Sequence, residues 1–323
     1  MKMNILPVRP LLLSLALALA GCSDTPLREW RTTEKGGVFS LSISLDAEHV
    51  LVGAVQHGGS LWRTADGARL YDWNHKPDQV SALVATAFSA EGRFAATAER
   101  HQLALWDVAS GRAIATWAME APVLSIAVSG NGQRLLVGLQ DNSALLIDTA
   151  RDEPLARIRH GNGVQAVAIT ADGRIGITGA DDGMLRAWDL DTGSTLLAHK
   201  FASGISTLAL SADGSLLFVG RYHGKGMVWN LQRNQAVSAI GHDRTSIVSA
   251  RFAPDGLTLL AGLPAGRIQE WNVSAGTLVR HWQADAPSAV RSSGLTTTAV
   301  AHDLRSRSII AGFSDGSVRV WSR

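Results

Sequence analysis

The sequence predicts an all-β protein in which seven copies of a four-stranded antiparallel unit close into a ring. Three observations support this fold class. Tryptophan recurs at intervals of about 41 to 50 residues or a multiple of them, glycine recurs nine residues before it, and short alternating apolar runs separate Asp-Gly-like turns. Alternation with a period of two in short runs bounded by turns indicates β-strands. A repeat of this length indicates one structural unit stacked many times.

The recurring tryptophan marks the third strand of each unit, if the strands are named a to d in chain order. It stands at Trp62, Trp106, Trp188, Trp229, Trp271 and Trp321, and Ile147 fills the remaining position. The preceding glycines are Gly53, Gly138, Gly179, Gly220, Gly262 and Gly312, and a b–c loop shorter by one residue puts Ala98 there in unit two. Residue types that suit tight turns follow five residues after the marker, at Gly67, Gly111, Asp152, Gly193, Asn234 and Gly276. The spacing therefore predicts seven b–c hairpins, six of which are followed directly by a d strand.

A fourth-strand marker lies eleven residues after each of the first six third-strand markers. These residues are Trp73, Trp117, Ile158, His199, Ile240 and Trp282. The sequence has no such position after Trp321, but Leu27-Arg28-Glu29-Trp30 is similar to the segment that ends in Trp282. We therefore expect residues 27–31 to supply the fourth strand of unit seven, which would pair an otherwise open edge. We also expect Trp30 to be as buried as Trp282.

The repeats resemble the WD40 family over residues 27–323. The best copy is ITADGRIGITGADDGMLRAWDLDTG, residues 169–193. The resemblance implies a seven-bladed β-propeller with a central channel. It also implies a structural, hydrogen-bonded tetrad in blade four, formed by His160, Thr178, Asp182 and Trp188. Blade seven keeps only Asp315 and Trp321 of this tetrad, and most other blades keep only the tryptophan.

The N-terminal segment has the order of a signal peptide. Lys2 and Arg9 precede the apolar run 11–19, and Leu19-Ala20-Gly21-Cys22 follows. This segment resembles the signal of bacterial lipoproteins, which implies cleavage after residue 21 and acylation of Cys22, the only cysteine. Residues 22–26 would then be the acylated cysteine and a short tether. Ser23 after the cysteine implies the outer membrane, with the protein facing the periplasm. The alternative is a plain secretory signal.

Charge and motifs exclude several kinds of function. Without residues 1–21 the chain has 28 basic and 28 acidic residues, because Lys2 and Arg9 are the only charges removed from the 30 and 28 of the full sequence. A neutral chain gives no electrostatic reason to expect nucleic acid. The sequence lacks a GxSxG motif, a P-loop and a dinucleotide-binding fingerprint. We therefore expect a non-enzymatic protein without a cofactor that is monomeric by itself.

Ten histidines raise the question of a metal site. His57, His101 and His223 are expected in b–c loops and His75, His160 and His242 in d–a loops, which share one face of a propeller. They lack the spacing of a helical metal motif, so we predict that no metal is bound. Two other residues are exceptions within the innermost strands. Arg251 replaces a small residue and should be structural, and His302 replaces an apolar residue and should be a hydrogen-bonded core histidine.

The function that the sequence favours is a protein-interaction platform in the bacterial envelope. The alternatives are a propeller enzyme, similar to lactonases or hydrolases, and a small-ligand binder that uses the channel mouth. Residues 23–26 span at most about 14 Å, so a lipid at Cys22 would hold the face of the a–b and c–d turns towards the membrane. The opposite face would meet partners. Its candidate residues are Arg100, His101, Asp181, Tyr222, His223, His242 and Arg244, together with the d–a loop 283–296.

Overall fold

The computed structural model describes residues 25–33, 37–76, 78–151, 154–285 and 294–323, and these residues form 28 β-strands. The a strands are β2 Val38–Ile43, β6 Ala85–Phe88, β10 Val123–Val128, β14 Ala166–Ile169, β18 Ile205–Leu210, β22 Ser249–Phe252 and β26 Thr297–Asp303. The b strands are β3 His49–Ala54, β7 Phe94–Glu99, β11 Arg134–Leu139, β15 Ile175–Gly179, β19 Leu216–Arg221, β23 Thr258–Gly262 and β27 Ser308–Phe313.

The outer half of each blade consists of a c and a d strand. The c strands are β4 Gly58–Arg63, β8 Gln102–Asp107, β12 Ser143–Asp148, β16 Met184–Asp189, β20 Gly226–Asn230, β24 Arg267–Asn272 and β28 Ser317–Ser322. The d strands are β5 Arg69–Asp72, β9 Ala113–Ala118, β13 Pro154–Arg159, β17 Thr195–Lys200, β21 Gln235–Ile240, β25 Thr277–Gln283 and, for blade seven, β1 Arg28–Arg31. All seven third-strand markers lie in c strands, as predicted.

The strands form seven separate four-stranded antiparallel sheets. Each sheet has the order a–b–c–d, and each a strand packs against the a strands of the two neighbouring sheets, including β26 against β2. The a strands therefore surround the central axis, and the sheets are the blades of a seven-bladed β-propeller. The predicted fold class is confirmed.

The N-terminal strand closes the ring as predicted. β1 pairs with β28 in antiparallel register, with Arg28 opposite Val320 and Arg31 opposite Ser317. The backbone N–H of Leu27 also donates to the carbonyl of Val320, at 2.7 Å. Trp30, however, is only half-buried, whereas Trp282 is buried. The expectation of equal burial is wrong, because Trp30 packs at the boundary of blades seven and one next to the exposed turn at Gly67.

The a–b turns show why the Asp-Gly-like pairs recur. In blade four, the Asp172 carboxylate accepts the Thr170 hydroxyl at 2.6 Å and the backbone N–H of Arg174 at 3.0 Å. Gly173 between them has φ = 73°, which costs glycine little and other residues more. Asp213 makes the same pair of bonds with Ser211 and Ser215 in blade five. The side chain and the glycine together fix the reversal of the chain.

The structure does not describe residues 1–24. The predicted signal peptide and the acylation site Cys22 lie in this part, and residues 286–293 of the d–a loop 283–296 also lie outside the described residues. Within the described ranges, no helix has the length and apolar character needed to cross a membrane.

Candidate interaction face

Blade four contains the hydrogen-bonded brace that the resemblance implied, in a modified form. The indole N–H of Trp188 donates to the Thr178 hydroxyl oxygen at 3.2 Å, and that oxygen lies 2.8 Å from Nε2 of His160. Asp182 does not bind the imidazole by a described bond. Its carboxylate instead accepts the backbone N–H groups of Gly161 at 2.9 Å and Met184 at 2.8 Å. The brace therefore connects strands through three side chains and connects the d–a and b–c loops through the aspartate.

The imidazole of this brace is neutral at physiological pH. Burial is the main cause, and the positive charge of Arg186 adds to it, so that the pKa of His160 falls to about 4. A neutral ring nitrogen can accept the hydroxyl proton of Thr178, while the hydroxyl oxygen accepts from Trp188. The arrangement suits a permanent structural contact rather than a group that titrates near neutral pH.

A second brace in blade two was missed by the sequence analysis. Nε2 of His75 lies 2.7 Å from the Thr97 hydroxyl, and the indole N–H of Trp106 donates to the same oxygen at 2.8 Å. The signal was present in the spacing, because Thr97 stands one residue before Ala98, as Thr178 stands before Gly179. The shorter b–c loop and the lack of an aspartate had obscured it.

The seven residues predicted to form the partner face occupy b–c and d–a connections. Arg100, His101, Tyr222, His223, His242 and Arg244 are exposed, and Asp181 is half-buried. In each antiparallel sheet, strands b and d run in the same direction. The b–c loop leaves the end of strand b and the d–a loop leaves the end of strand d, so both loops lie at the same end of the blade. The structure therefore brings the seven residues to one end of the ring, which we call the top face.

Tyr222 and Asp181 form the most ordered part of this set. The Asp181 carboxylate accepts the side-chain N–H of Gln165 at 2.7 Å. The Tyr222 ring lies near the backbone of Gly204, and burial together with the negative charge of Asp181 raises the pKa of its phenol. Tyr222 therefore stays protonated at neutral pH and offers an amphipathic surface to a partner.

The top face also has apolar residues that the sequence analysis did not assign to it. They come from one equivalent position at the start of each inner strand, and in blades one, three, five and seven the pairing with the b strand slips at this position. The seven residues at this position are Phe39, Val84, Leu124, Gln165, Ser206, Val248 and Thr298. A bulge turns the extra side chain out of the normal alternation. Phe39 and Val248 are 55% and 39% exposed, and both line the mouth of the channel with Leu124 and Thr298.

Most of the apolar residues and most of the predicted polar residues of the top face come from different blades. At this position blades one, two, three and six have Phe39, Val84, Leu124 and Val248, whereas blades four and five have Gln165 and Ser206. The predicted polar residues come mainly from blades four and five and the connection to blade six. We call the four apolar residues the apolar arc. An apolar patch with a polar, mixed-charge surround is the usual composition of a protein-binding surface.

Two consecutive segments match the family model described as WD domain, G-beta repeat, at residues 153–189 and 191–230. Each match begins just before the d strand of one blade and ends with the c strand of the next. The chain is a WD40-like propeller. Each repeat thus contributes its strands in the order d–a–b–c. The first d strand of the described chain, β1, therefore precedes blade one and completes blade seven. No curated protein matches the sequence.

Several top-face histidines of the WD40-like propeller already have structural partners. Nε2 of His57 lies 2.6 Å from the carbonyl of Thr32, and burial lowers the pKa of this imidazole. His75 and His160 belong to the two braces, and the His242 ring packs against Trp271 with centroids 5.6 Å apart. These contacts give the histidines structural roles, so their presence on one face does not require a metal ion.

One group among the described residues has donor atoms close enough for a metal ion, and it lies at the opposite end of the ring. Carboxylate oxygens of Asp46 and Glu48 and a ring nitrogen of His49 lie within 4.8 Å of one another. Asp46 is bound to Ser44 and to the backbone of Glu48, and Glu48 forms an ion pair with Arg305. These partners account for both carboxylates, and the absence of a bound metal stays a prediction.

Arg251 lies in the central channel and reaches from blade six past blade seven to blade one. Its guanidinium donates to the carbonyl of Ile43 in blade one at 2.7 Å, and burial lowers its pKa to about 10, so the group remains charged. It lines a channel cavity of about 250 Å³, and it is the only charged side chain among the described lining residues. The described channel walls thus lack the several acids or histidines that a lactonase-like metal site needs.

His302 differs from its sequence expectation. It is 3% exposed, and neither ring nitrogen has a hydrogen-bond partner among the described residues. The prediction of a hydrogen-bonded core histidine is therefore wrong. His302 alternates with Ala301, which faces blade one, so the imidazole points between blades seven and six, where the carboxylate of Glu270 is already bound to Arg323 and Thr258.

Proposed function

We propose that this WD40-like propeller is a lipid-anchored platform that binds other proteins of the bacterial envelope through its top face. The observation that carries the proposal is the apolar arc at the channel mouth, next to the polar residues of blades four and five. Interface cores are apolar and their rims are polar, and a few central aromatic residues often dominate the affinity. Phe39 has the position and the exposure of such a residue.

The geometry of the N-terminus supports the orientation. β1 starts at Arg28 at the a–b/c–d end of blade seven, since it runs antiparallel to β28. If Cys22 is acylated, only residues 23–27 separate it from this strand. Five residues reach at most about 18 Å. The a–b/c–d face would lie near the membrane, and the top face would point into the periplasm.

The anchor gives the first prediction. Cys22→Ser should abolish acylation because a hydroxyl cannot form the thioether, and the protein should leave the outer-membrane fraction or remain unprocessed. Cell fractionation with metabolic labelling by a palmitate analogue measures both effects. Ser23→Ala is the matched control and should be labelled and sorted as the parent is. Normal labelling and sorting of the Cys22→Ser protein would refute lipidation at this residue.

The top face gives the second prediction. Replacing Phe39 and Val248 by aspartate should lower partner crosslinking at least tenfold, because a desolvated charge in an interface core costs several kcal/mol. A photo-crosslinking amino acid at Val84 in intact cells reports the contact. Tyr222→Ala with Arg244→Glu should weaken the same crosslink.

The control for this experiment lies at the other end of the ring. Leu257 is 66% exposed in the a–b turn of blade six, and Leu257→Asp should leave both the melting curve and the Val84 crosslink unchanged. Changes at Glu48, in the a–b turn of blade one, and at Arg69, at the start of the d strand of that blade, should also leave the crosslink unchanged. If Leu257→Asp removes the crosslink and the Phe39 and Val248 substitutions do not, the assignment of the top face is wrong.

A further inference from the structure

A cleft of about 460 Å³ lies between blades six and seven, at the end of the ring opposite the top face. Buried Glu270 and His302 form its floor, and exposed Arg280 and Arg307 lie at its mouth. The proposed partner-binding function uses none of these residues. The cleft is therefore separate from the proposed partner-binding surface.

The floor carboxylate is already paired within the protein. Glu270 is 1% exposed, and its Oε1 accepts the Thr258 hydroxyl at 3.0 Å and Nε of Arg323 at 2.9 Å. Buried carboxylates are stable only when they are paired and hydrogen-bonded in this way. Asp303, the other acid of the cleft, accepts the backbone N–H of Arg305 and the hydroxyl of Ser306 in its own turn.

Three polar side chains of the cleft, His302, Arg280 and Arg307, have no described hydrogen-bond partner. Both ring nitrogens of His302 lack a partner, and a buried polar group without a hydrogen bond destabilises the folded protein. Arg280 stands directly opposite Glu270 in the strand pairing, but the carboxylate is bound to Arg323. Among the described residues, the guanidinium groups of Arg280 and Arg307 take part in no ion pair, although both line the cleft.

We propose that this cleft binds a phosphate monoester group, held by Arg280 and Arg307 at the mouth and by His302 at the floor. Two guanidinium groups suit an oxyanion because each presents several N–H donors in a planar fork. A neutral imidazole presents one donor and one acceptor. A monoester phosphate can bond to a neutral imidazole through either nitrogen, because it has acceptor oxygens for the N–H and, when singly protonated, a hydroxyl for the bare nitrogen. An ionised carboxylate or a phosphodiester has no proton to donate.

The protonation of His302 provides a readout of binding. Burial is the main reason that its pKa lies at about 4, and the positive charges of Arg323 and Arg251 lower it further, while Glu270 and Asp255 oppose them. A bound phosphate monoanion adds negative charge near the ring and so favours the imidazolium over the neutral imidazole. The pKa of His302 should therefore rise by at least one unit when phosphate binds.

The test uses the purified full chain, with inorganic phosphate as the first probe and chloride at matched ionic strength as the reference. We expect saturable binding by calorimetry and a phosphate-dependent shift of the His302 ring signals in NMR titrations from pH 3.5 to 7.5. Arg280→Gln with Arg307→Gln should weaken binding at least tenfold. Both residues are exposed, so this variant should fold even if substitutions at His302 do not.

Matched controls distinguish the site from general attraction of anions. Arg112 and Arg233 are exposed in the c–d turns of blades two and five, at the same end of the ring, and changing both to glutamine should leave binding within twofold of the parent. The proposal is overturned if phosphate and chloride give the same heats and the same His302 titration. It is also overturned if the Arg112 and Arg233 variant loses as much affinity as the cleft variant.

Two further probes distinguish the sources of the phosphate group. Glycerol 3-phosphate represents soluble esters, and dihexanoyl phosphatidic acid, which dissolves as monomers, represents a lipid headgroup. At least tenfold tighter binding of one than of the other, lost in the cleft variant, supports the site and assigns its ligand to that source. Failure of both, with no response to inorganic phosphate, counts against the proposal and leaves the top-face assignment unaffected.

Discussion

Replacing Trp73 by alanine should lower the free energy of unfolding by about 4–5 kcal/mol. Trp73 is completely buried between blades one and two, where its ring stacks on Trp106 with centroids 5.2 Å apart and planes 11° from parallel. Its indole N–H donates to the carbonyl of Gly111 at 3.1 Å. The substitution removes a large side chain, one aromatic stack and one hydrogen bond at the same place.

Urea and thermal unfolding measure this effect. Domains of this size lose about 2–4 °C of melting temperature per kcal/mol, so the decrease should be on the order of 10 °C. Trp73→Phe keeps an aromatic ring in the same pocket and should lose about half as much. Leu196→Ala, at an exposed position of a d strand, is the surface control and should melt as the parent does. A melting temperature of Trp73→Ala within about 2 °C of the parent would refute this account of the blade interface.

The fold was predictable because each blade repeats the same local chemistry. A marker in the c strand, a small residue nine positions earlier and a turn residue five positions later set the register of three strands. A one-residue slip would turn the apolar side chains of a strand to the wrong face. Several copies that agree therefore determine the strand count even where one copy is degenerate, as in blade three, where Ile147 stands in place of tryptophan.

The side-chain contacts were less predictable, because they depend on residues far apart in the sequence. The brace of blade two was missed since its b–c loop is shorter and has no aspartate beside His75 and Thr97. The apolar arc was missed because Phe39 and Leu124 lie inside apolar runs that predict buried strand positions. Only the three-dimensional structure shows the bulge that turns them outward.

His302 shows a different limit of the sequence pattern. Its position in an a strand predicted burial correctly, and burial is a property of the strand's alternation. Whether a buried imidazole has a partner depends on the neighbouring blade, whose Glu270 is already bound to Arg323. A pattern along one strand contains no information about that competition between side chains.

Ring closure gives the last prediction. Trp30→Ala should destabilise the protein by about 2–4 kcal/mol, somewhat less than a fully buried tryptophan, because Trp30 is half-buried. Its side chain packs on a cluster that contains Val318 of blade seven and Leu41 of blade one, so it holds the first and last blades together. β1 is also bound by the ion pair of Glu29 with Arg319, at 3.2 Å. Without the indole, this short strand should detach more often.

Amide hydrogen exchange tests the location of the effect. The amides of residues 28–31 should lose protection in the Trp30→Ala protein, while those of β24 in blade six should keep it. Phe39→Ala is the matched control, since it removes an exposed aromatic side chain, and it should change neither the melting temperature nor the exchange of β1. An unchanged melting temperature and unchanged protection in Trp30→Ala would show that the backbone pairing of β1 closes the ring without its tryptophan. Because the closure joins the two ends of the described chain, its loss should expose the free edge of β28 and weaken the cooperativity of the whole ring.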